Sequence, residues 1–292
     1  MENLKIIESI NDLKGLLSLE QLDVNLFRGN NLETSWKRVF GGQVLGQALN
    51  AAYQSVPEDR LAHSLHGYFI LPGDVTKPII YRVDSTRDGG SFSTRRVSAV
   101  QNGKAIFVMA ASFQVKQDGF DHQNEMPEVP EPDSLLTDKE QAELLKETRP
   151  DLHRKMKGRE QGALEFRPVE PLAFEDIQED KLVRNVWMRT QEKIELTLPE
   201  KHQILAYTSD YDLLLSSVYP HRQKFNVDKL FLASLDHAMW FHRDVDISDW
   251  MLFVIDSPSA SNSRGMGYGR IFDKGGRLIS TVMQEGLIRI MK

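Results

Sequence analysis

The second half of this chain repeats the order of the first: a helix-like run followed by a series of strand-like runs. In the first half, residues 42–53 carry Val44, Leu45, Ala48, Leu49 and Ala52 at helical spacing, and Pro57 ends the pattern. Strand-like runs follow at 64–71, 79–83, 91–100 and 104–115, and the Asn102-Gly103 pair suits a tight hairpin turn. The second half offers a strand at 182–189, a helix over 199–218, and strands near 231–242, 250–257, 265–273 and 277–290. Ser64-Leu65 matches Ser234-Leu235, and Phe113-Gln114 matches Met283-Gln284, both at an offset of 170 residues. In the helices, Gln43-Val44-Leu45 meets Gln203-Ile204-Leu205 at an offset of 160, which sets Asn50 opposite Asp210. The pattern predicts two duplicated modules, 1–118 and 166–292, joined by a Pro-containing linker at 119–165 that holds a charged helix around 137–147. An amphipathic helix over 4–19 opens the first module.

Each long helix is small and apolar on several sides, as a helix embraced by the concave face of a sheet must be. The expected fold is therefore α+β, a double hotdog: two tandem antiparallel sheets, each wrapped around a long helix. Composition narrows the function classes. With 292 residues, 40% of them hydrophobic and 27% charged, the chain has the balance of a water-soluble globular protein. A net charge of −6 without a basic run argues against a nucleic-acid partner, and no apolar stretch is long enough for a membrane span. The absence of cysteine excludes disulfides, a thiolate nucleophile and sulfur-based zinc sites, and it fits a cytoplasmic protein.

The chemistry concentrates in the second half. Asp210 lies on a predicted helical stripe with Ala206, Tyr207, Leu213 and Leu214, and a carboxylate on an apolar stripe needs hydrogen-bond partners or a task. Position alone leaves open an aspartate that merely bonds a neighbouring strand. Gln284 interrupts an apolar strand with an amide, and Ser234 supplies a hydroxyl; each can donate and accept, as a group that orients water must. Taken singly, either reads as structural; with Asp210 they make one base and two water-positioning groups. His66 is a rival catalytic residue, better read as packed and hydrogen-bonded. His237 and His242 point to opposite faces of a strand, so no metal is expected. The 265–269 glycine run leads into a strand, which favours close sheet packing over a phosphate loop. Arg95, Arg96 and Arg264 are candidates for phosphate contacts, with solvated surface positions as the alternative for each.

Several strings carry a specific resemblance: Phe40-Gly-Gly-Gln-Val-Leu-Gly-Gln-Ala48, His66-Gly-Tyr-Phe-Ile-Leu-Pro-Gly-Asp74, Arg87-Asp-Gly-Gly-Ser-Phe-Ser-Thr-Arg-Arg-Val97, Leu235-Asp-His-Ala-Met-Trp-Phe-His-Arg243 and Thr281-Val-Met-Gln-Glu-Gly286. From about Leu19 onward the chain resembles the acyl-CoA thioesterase II family. The resemblance implies hydrolysis of fatty acyl-CoA without cofactor or metal, by a water that Asp210, Ser234 and Gln284 position; the family's hydroxyl is often threonine, so serine is a departure. Backbone N–H groups near Gly41 and Gly42 are the candidate oxyanion donors, and Gly41, Gly42, His66, Arg95, Arg96 and Arg264 form the expected substrate-binding set. The expected partners are acyl-CoA and further copies of the chain, as a homodimer or homotetramer. A hotdog-fold hydratase and a non-catalytic acyl-CoA-binding protein are the competing readings. The C-terminal 290–292 lacks the Ser-Lys-Leu address of peroxisomal relatives, which again favours the cytoplasm.

Overall fold

A computed structural model describes residues 7–33, 37–150, 153–154, 162–173, 183–224 and 229–291. Helix α1, Ile10–Leu17, starts at a Ser9 capping box closed by Asp12 and buries Ile10, Leu13, Leu16 and Leu17. The sequence pattern starts this helix too early: Ile7 is buried but precedes the cap, and Leu4 lies outside the described residues. Two short strands, β1 (Glu20–Asp23) and β2 (Leu26–Gly29), occupy a stretch whose sequence reads as irregular.

The long helix of the first half, α2 (Gly41–Tyr53), falls where its periodicity predicts. It is followed by β3 (Leu61–Phe69), β4 (Ile79–Asp88), β5 (Phe92–Gln101) and β6 (Lys104–Gln114). The β5–β6 turn is built by Asn102 and Gly103, both at positive φ (50° and 74°), a conformation these two residue types tolerate. Between the halves lie a short 3₁₀ turn, Pro132–Ser134, and α3 (Asp138–Leu144). The second half comprises β7 (Leu164–Pro168), β8 (Arg184–Thr190), α4 (Leu198–Ser209), a 3₁₀ segment Leu214–Lys224, and strands β9 (Leu230–Ser234), β10 (Asp236–Phe241), β11 (Met251–Ser261), β12 (Arg264–Asp273) and β13 (Leu278–Ile290). Residue 182, the predicted start of β8, lies outside the described residues.

The strand order is β1-β2-β4-β5-β6-β3-β10-β13-β12-β11-β8-β7, with β9 paired to β13. Read inward from its two edges, this order is the same five-strand module twice, since β2-β4-β5-β6-β3 meets β8-β11-β12-β13-β10. The two antiparallel sheets join edge to edge through β3 and β10, with Leu65 opposite Met239. Both long helices lie in the core with α1, and one buried cluster draws Leu45, Ala48 and Leu65 from the first half and Ile204, Leu205 and Met239 from the second. A smaller cluster forms where Met126, Val129 and Leu135 of the connecting segment pack on Trp187, Trp250, Leu252 and Phe272, and the Trp187 indole donates to the Pro130 carbonyl at 2.9 Å.

The offset of 170 residues does not survive at the level of side chains. On β6 the buried positions are Phe107, Met109, Ala111 and Phe113, so Gln114 falls on the opposite face and bonds Gln117. On β13 Ser280, Val282, Gln284 and Gly286 are buried in alternation. A register error of one residue exchanges the two faces of a strand, and the apparent match of Gln114 with Gln284 is such an error. Ser64 likewise sits inside the unbroken β3, whereas Ser234 ends β9, a strand that pairs with β13. The helix offset of 160 fares better: Asn50 reaches Gln203 of α4 (Nδ2 to Oε1, 3.0 Å), as Asp210 at the end of α4 reaches the head of α2.

Candidate active site

Helix α4 ends earlier than the predicted 218. Its Thr197 capping box and first-turn proline start it, but Asp210 is the C-cap and Asp212 adopts φ 58°, the left-handed conformation that aspartate tolerates better than most residues. Leu213 and Leu214 remain buried, yet they belong to the next segment rather than to a continuous stripe with Asp210. The consequence is that the Asp210 carboxylate projects from a helix end toward the N-terminus of α2.

There Asp210 Oδ2 accepts from the Gly42 backbone N–H at 2.8 Å, and Oδ1 accepts from Gln284 Nε2 at 2.6 Å. The N-terminal end of α2 carries positive dipole potential, which favours an anion at this position. Burial outweighs these stabilising contacts and raises the Asp210 pKa to about 6. The residue as a whole is half-buried, and its carboxylate is desolvated. Gln284 comes from β13 and is fully buried. Its nitrogen also lies 3.3 Å from His237 Nδ1, and His237 Nε2 lies 3.0 Å from Ser209 Oγ. Sequence reasoning missed His237. The signal was the alternation His237, Met239, Phe241, which puts the histidine on the buried face of β10. His242, by contrast, is exposed.

Ser234 is opposite Gly286 in the β9–β13 register, hence on the same face as Gln284 and two residues along. No hydrogen bond joins its hydroxyl to Asp210 or Gln284 among those described, so the fold brings two of the three predicted residues into contact and leaves the third beside them.

The glycines at the head of α2 are fixed by space. A Cβ on Gly41 would lie 2.6 Å from Asp210 Oδ2 and 3.0 Å from Phe69 Cζ; one on Gly42 would lie 2.2 Å from the Tyr207 carbonyl oxygen. Since a backbone oxygen cannot swing aside, Gly42→Ala is expected to cost about 1–3 kcal/mol of stability through forced helix separation, read as a lower urea midpoint at unchanged m. The glycine run of β12 is explained in the same way: Cβ atoms on Gly265 and Gly267 would meet Ser217 Oγ and the Leu213 carbonyl, each at 2.3 Å.

Four predicted substrate contacts do not reach Asp210. His66 is exposed on the outer face of β3, edge-on to Trp240 at 5.1 Å, because the buried positions beside it are Leu65 and Gly67; the expected packed and hydrogen-bonded histidine is not found. Arg95 is 2% exposed and structural, bonding the Ser55, Arg87 and Thr94 carbonyls and the Asp88 carboxylate. Arg96, its neighbour on β5, is exposed on the outer face. Arg264 is partly exposed and pairs with Glu285 at 2.8 Å. Among the described residues no group of three metal-ligating side chains occurs, and no helix is long and apolar enough to cross a membrane.

Comparison with known proteins decides the family. Residues 164–287 match the family model described as acyl-CoA thioesterase, and 32–114 match that of the acyl-CoA thioesterase N-terminal domain. The chain is 38% identical to acyl-CoA thioesterase 2 of Haemophilus influenzae, over 96% of this chain and 98% of that one. This chain belongs to the acyl-CoA thioesterase II family. It is also 41% identical to acyl-coenzyme A thioesterase 8 of Mus musculus, over 94% of this chain and 88% of the relative. Among solved structures, the acyl-CoA thioesterase II of Mycobacterium marinum superposes with a TM-score of 0.79 at 38% identity, covering 95% of this chain and 98% of that one. A hot dog fold protein of unknown function from Alicyclobacillus acidocaldarius shares the fold alone, with a TM-score of 0.76 at 19% identity over 96% and 99% of the two chains. The family's double hotdog is thus the architecture whose two modules meet at β3 and β10, and Asp210, held by Gln284, meets Gly42 across the halves that the two family models match.

Proposed function

We propose that this thioesterase hydrolyses fatty acyl-CoA by direct attack of a water molecule that Asp210, Gln284 and Ser234 hold, with the head of α2 receiving the developing oxyanion. The observation that carries this reading is the contact of a desolvated carboxylate with both a buried amide and a helix N-terminus. Asp210 takes a proton from the water as its oxygen bonds to the thioester carbonyl carbon. The carbonyl oxygen becomes an anion, which the Gly41 N–H and the dipole at the head of α2 stabilise, the Gly42 N–H being held by Asp210. Collapse breaks the carbon–sulfur bond, and the proton on Asp210 passes to the departing CoA sulfur, so the products are a fatty acid and CoA thiol. Gln284 and Ser234 orient the water, Ser234 with a hydroxyl that donates and accepts and Gln284 with its amide oxygen, since its nitrogen is engaged by Asp210. No covalent acyl-enzyme is formed.

The test is thiol release from acyl-CoAs of graded chain length, comparing wild type with Gln284→Ala, whose kcat is expected to fall about 10- to 100-fold. Wild-type protein that releases no thiol above background defeats the proposal. A single turnover in heavy-oxygen water, with the label sought in both product and protein, separates direct attack, which labels only the fatty acid, from an Asp210 acyl intermediate cleaved at the aspartyl carbonyl, which leaves the label on Asp210. Because Asp210 must be ionised to act as base, kcat/KM for the free enzyme is expected to rise with pH through an apparent pKa of about 6. A limb centred in the ordinary aspartate range would remove the burial argument.

A further inference from the structure

We propose that His237 is a positioning residue for the hydrolytic water: protonated at Nε2 alone, it fixes the flip of the Gln284 amide so that Oε1 faces the water, an inference that rests on the reaction proposed above. One atom, Gln284 Nε2, makes both contacts, with Asp210 Oδ1 at 2.6 Å and His237 Nδ1 at 3.3 Å. A flipped amide would set Oε1 against an ionised carboxylate oxygen at that separation, two acceptors with no hydrogen between them. Both amide hydrogens are therefore committed, one to Asp210 and one to the imidazole, and Nδ1 is an acceptor.

The ring hydrogen must then reside on Nε2, where its partner is Ser209 Oγ at 3.0 Å. Ser209 in turn donates to the Ala206 carbonyl at 2.9 Å, and a carbonyl accepts only. The sequence of donors from Gln284 through His237 and Ser209 to Ala206 thus has one direction. His237 is 1% exposed, and burial holds its pKa down to about 3, so the ring stays neutral and its tautomer is governed by these neighbours. With both hydrogens of Nε2 engaged, Oε1 is the one acceptor Gln284 keeps for a water hydrogen. The other water hydrogen goes to a remaining lone pair of Asp210, leaving the oxygen lone pair to meet the carbonyl carbon. Without His237 the second amide hydrogen loses its buried acceptor, and the amide is free to rotate about the single bond to Asp210.

The tautomer is read directly on the full wild-type chain with isotope-labelled histidine by long-range proton–nitrogen correlation NMR, with His237 assigned by its absence from His237→Asn. The expected result is a neutral Nε2–H ring from about pH 5 to 8. An Nδ1–H ring, or one that protonates within that range, overturns the proposal. In kinetics, His237→Leu is expected to lower kcat about 10-fold with KM within about twofold, whereas His237→Asn, which keeps an amide oxygen near the Nδ1 position, recovers most of the loss. A folded His237→Leu variant with wild-type kcat also overturns it, and if that variant does not fold, the wild-type tautomer decides. Wild type without thiol release would instead defeat the thioester reaction, a separate outcome from the tautomer.

Discussion

Asp210→Asn is expected to lower kcat about 100- to 10 000-fold, the usual worth of a general base, and at the same time to raise stability at neutral pH. The stability sign follows from the carboxylate's native pKa of about 6, which lies above the unfolded value. Below about pH 4 both states hold the proton and nothing is lost. As pH rises from about 4 to 6 the unfolded chain releases its proton before the native one, so native stability falls across that window. The whole shift corresponds to about 3 kcal/mol; because Asp210 keeps some surface and its hydrogen bonds, a gain of about 1–2 kcal/mol is expected for the amide above pH 7. Asparagine can still accept from Gly42 while Gln284 turns its oxygen toward the new amide and His237 moves its ring hydrogen to Nδ1 to meet that oxygen. Urea unfolding at pH 7.5 and at pH 4, in a buffer set of about equal ionic strength, checks the prediction: the gain should appear only at the higher pH. An inactive variant that is also less stable at neutral pH would show that the carboxylate is held for structure.

Arg95→Met is expected to destabilise the protein by about 3 kcal/mol while leaving KM for acyl-CoA unchanged in the folded enzyme. Methionine keeps the apolar stem but leaves the Ser55, Arg87 and Thr94 carbonyls without the guanidinium that now serves them. Arg96→Met, one residue away on the exposed face of the same strand, should shift the urea midpoint little. If Arg95→Met instead raised KM at undiminished stability, the phosphate role first suggested by its sequence context would return.

The contrast between these two arginines marks where the sequence was legible. The apolar spacing of α2 and the Asn102-Gly103 turn were readable because each depends on residues near one another in the chain. The duplication was readable as an order of elements, since each module repeats a pattern of whole strands. What failed was anything that needs a register to one residue. Gln114 and Gln284 look alike in sequence, yet they occupy opposite faces. The same uncertainty hid the burial of Arg95 and the exposure of His66, neighbours of residues whose hydrophobicity set the alternation. The end of α4 was invisible for another reason: Tyr211, Asp212 and Leu213 are compatible with a helix, and only the left-handed Asp212 turns the chain away. Asp210 and Gln284 were found despite this, because an isolated polar group in an apolar run is conspicuous whatever the exact geometry. His237 is legible only through its alternation with Met239 and Phe241, a signal that its spacing to His242 obscures.

The pairing of Asn50 with Asp210 has a consequence for how many ionised groups the fold must carry. In a complex of two identical modules, a carboxylate at this position would occur twice, and each copy would have to be held in surroundings that resist its charge. A single polypeptide that contains both modules escapes that constraint, for its two halves need not have the same residue at related points. Here the amide of Asn50 meets Gln203 as a neutral pair, and Asp210 alone bears the charge. Covalent fusion therefore lets one half specialise in reactivity while the other relieves the electrostatic load, an asymmetry that no homodimer of one module could maintain.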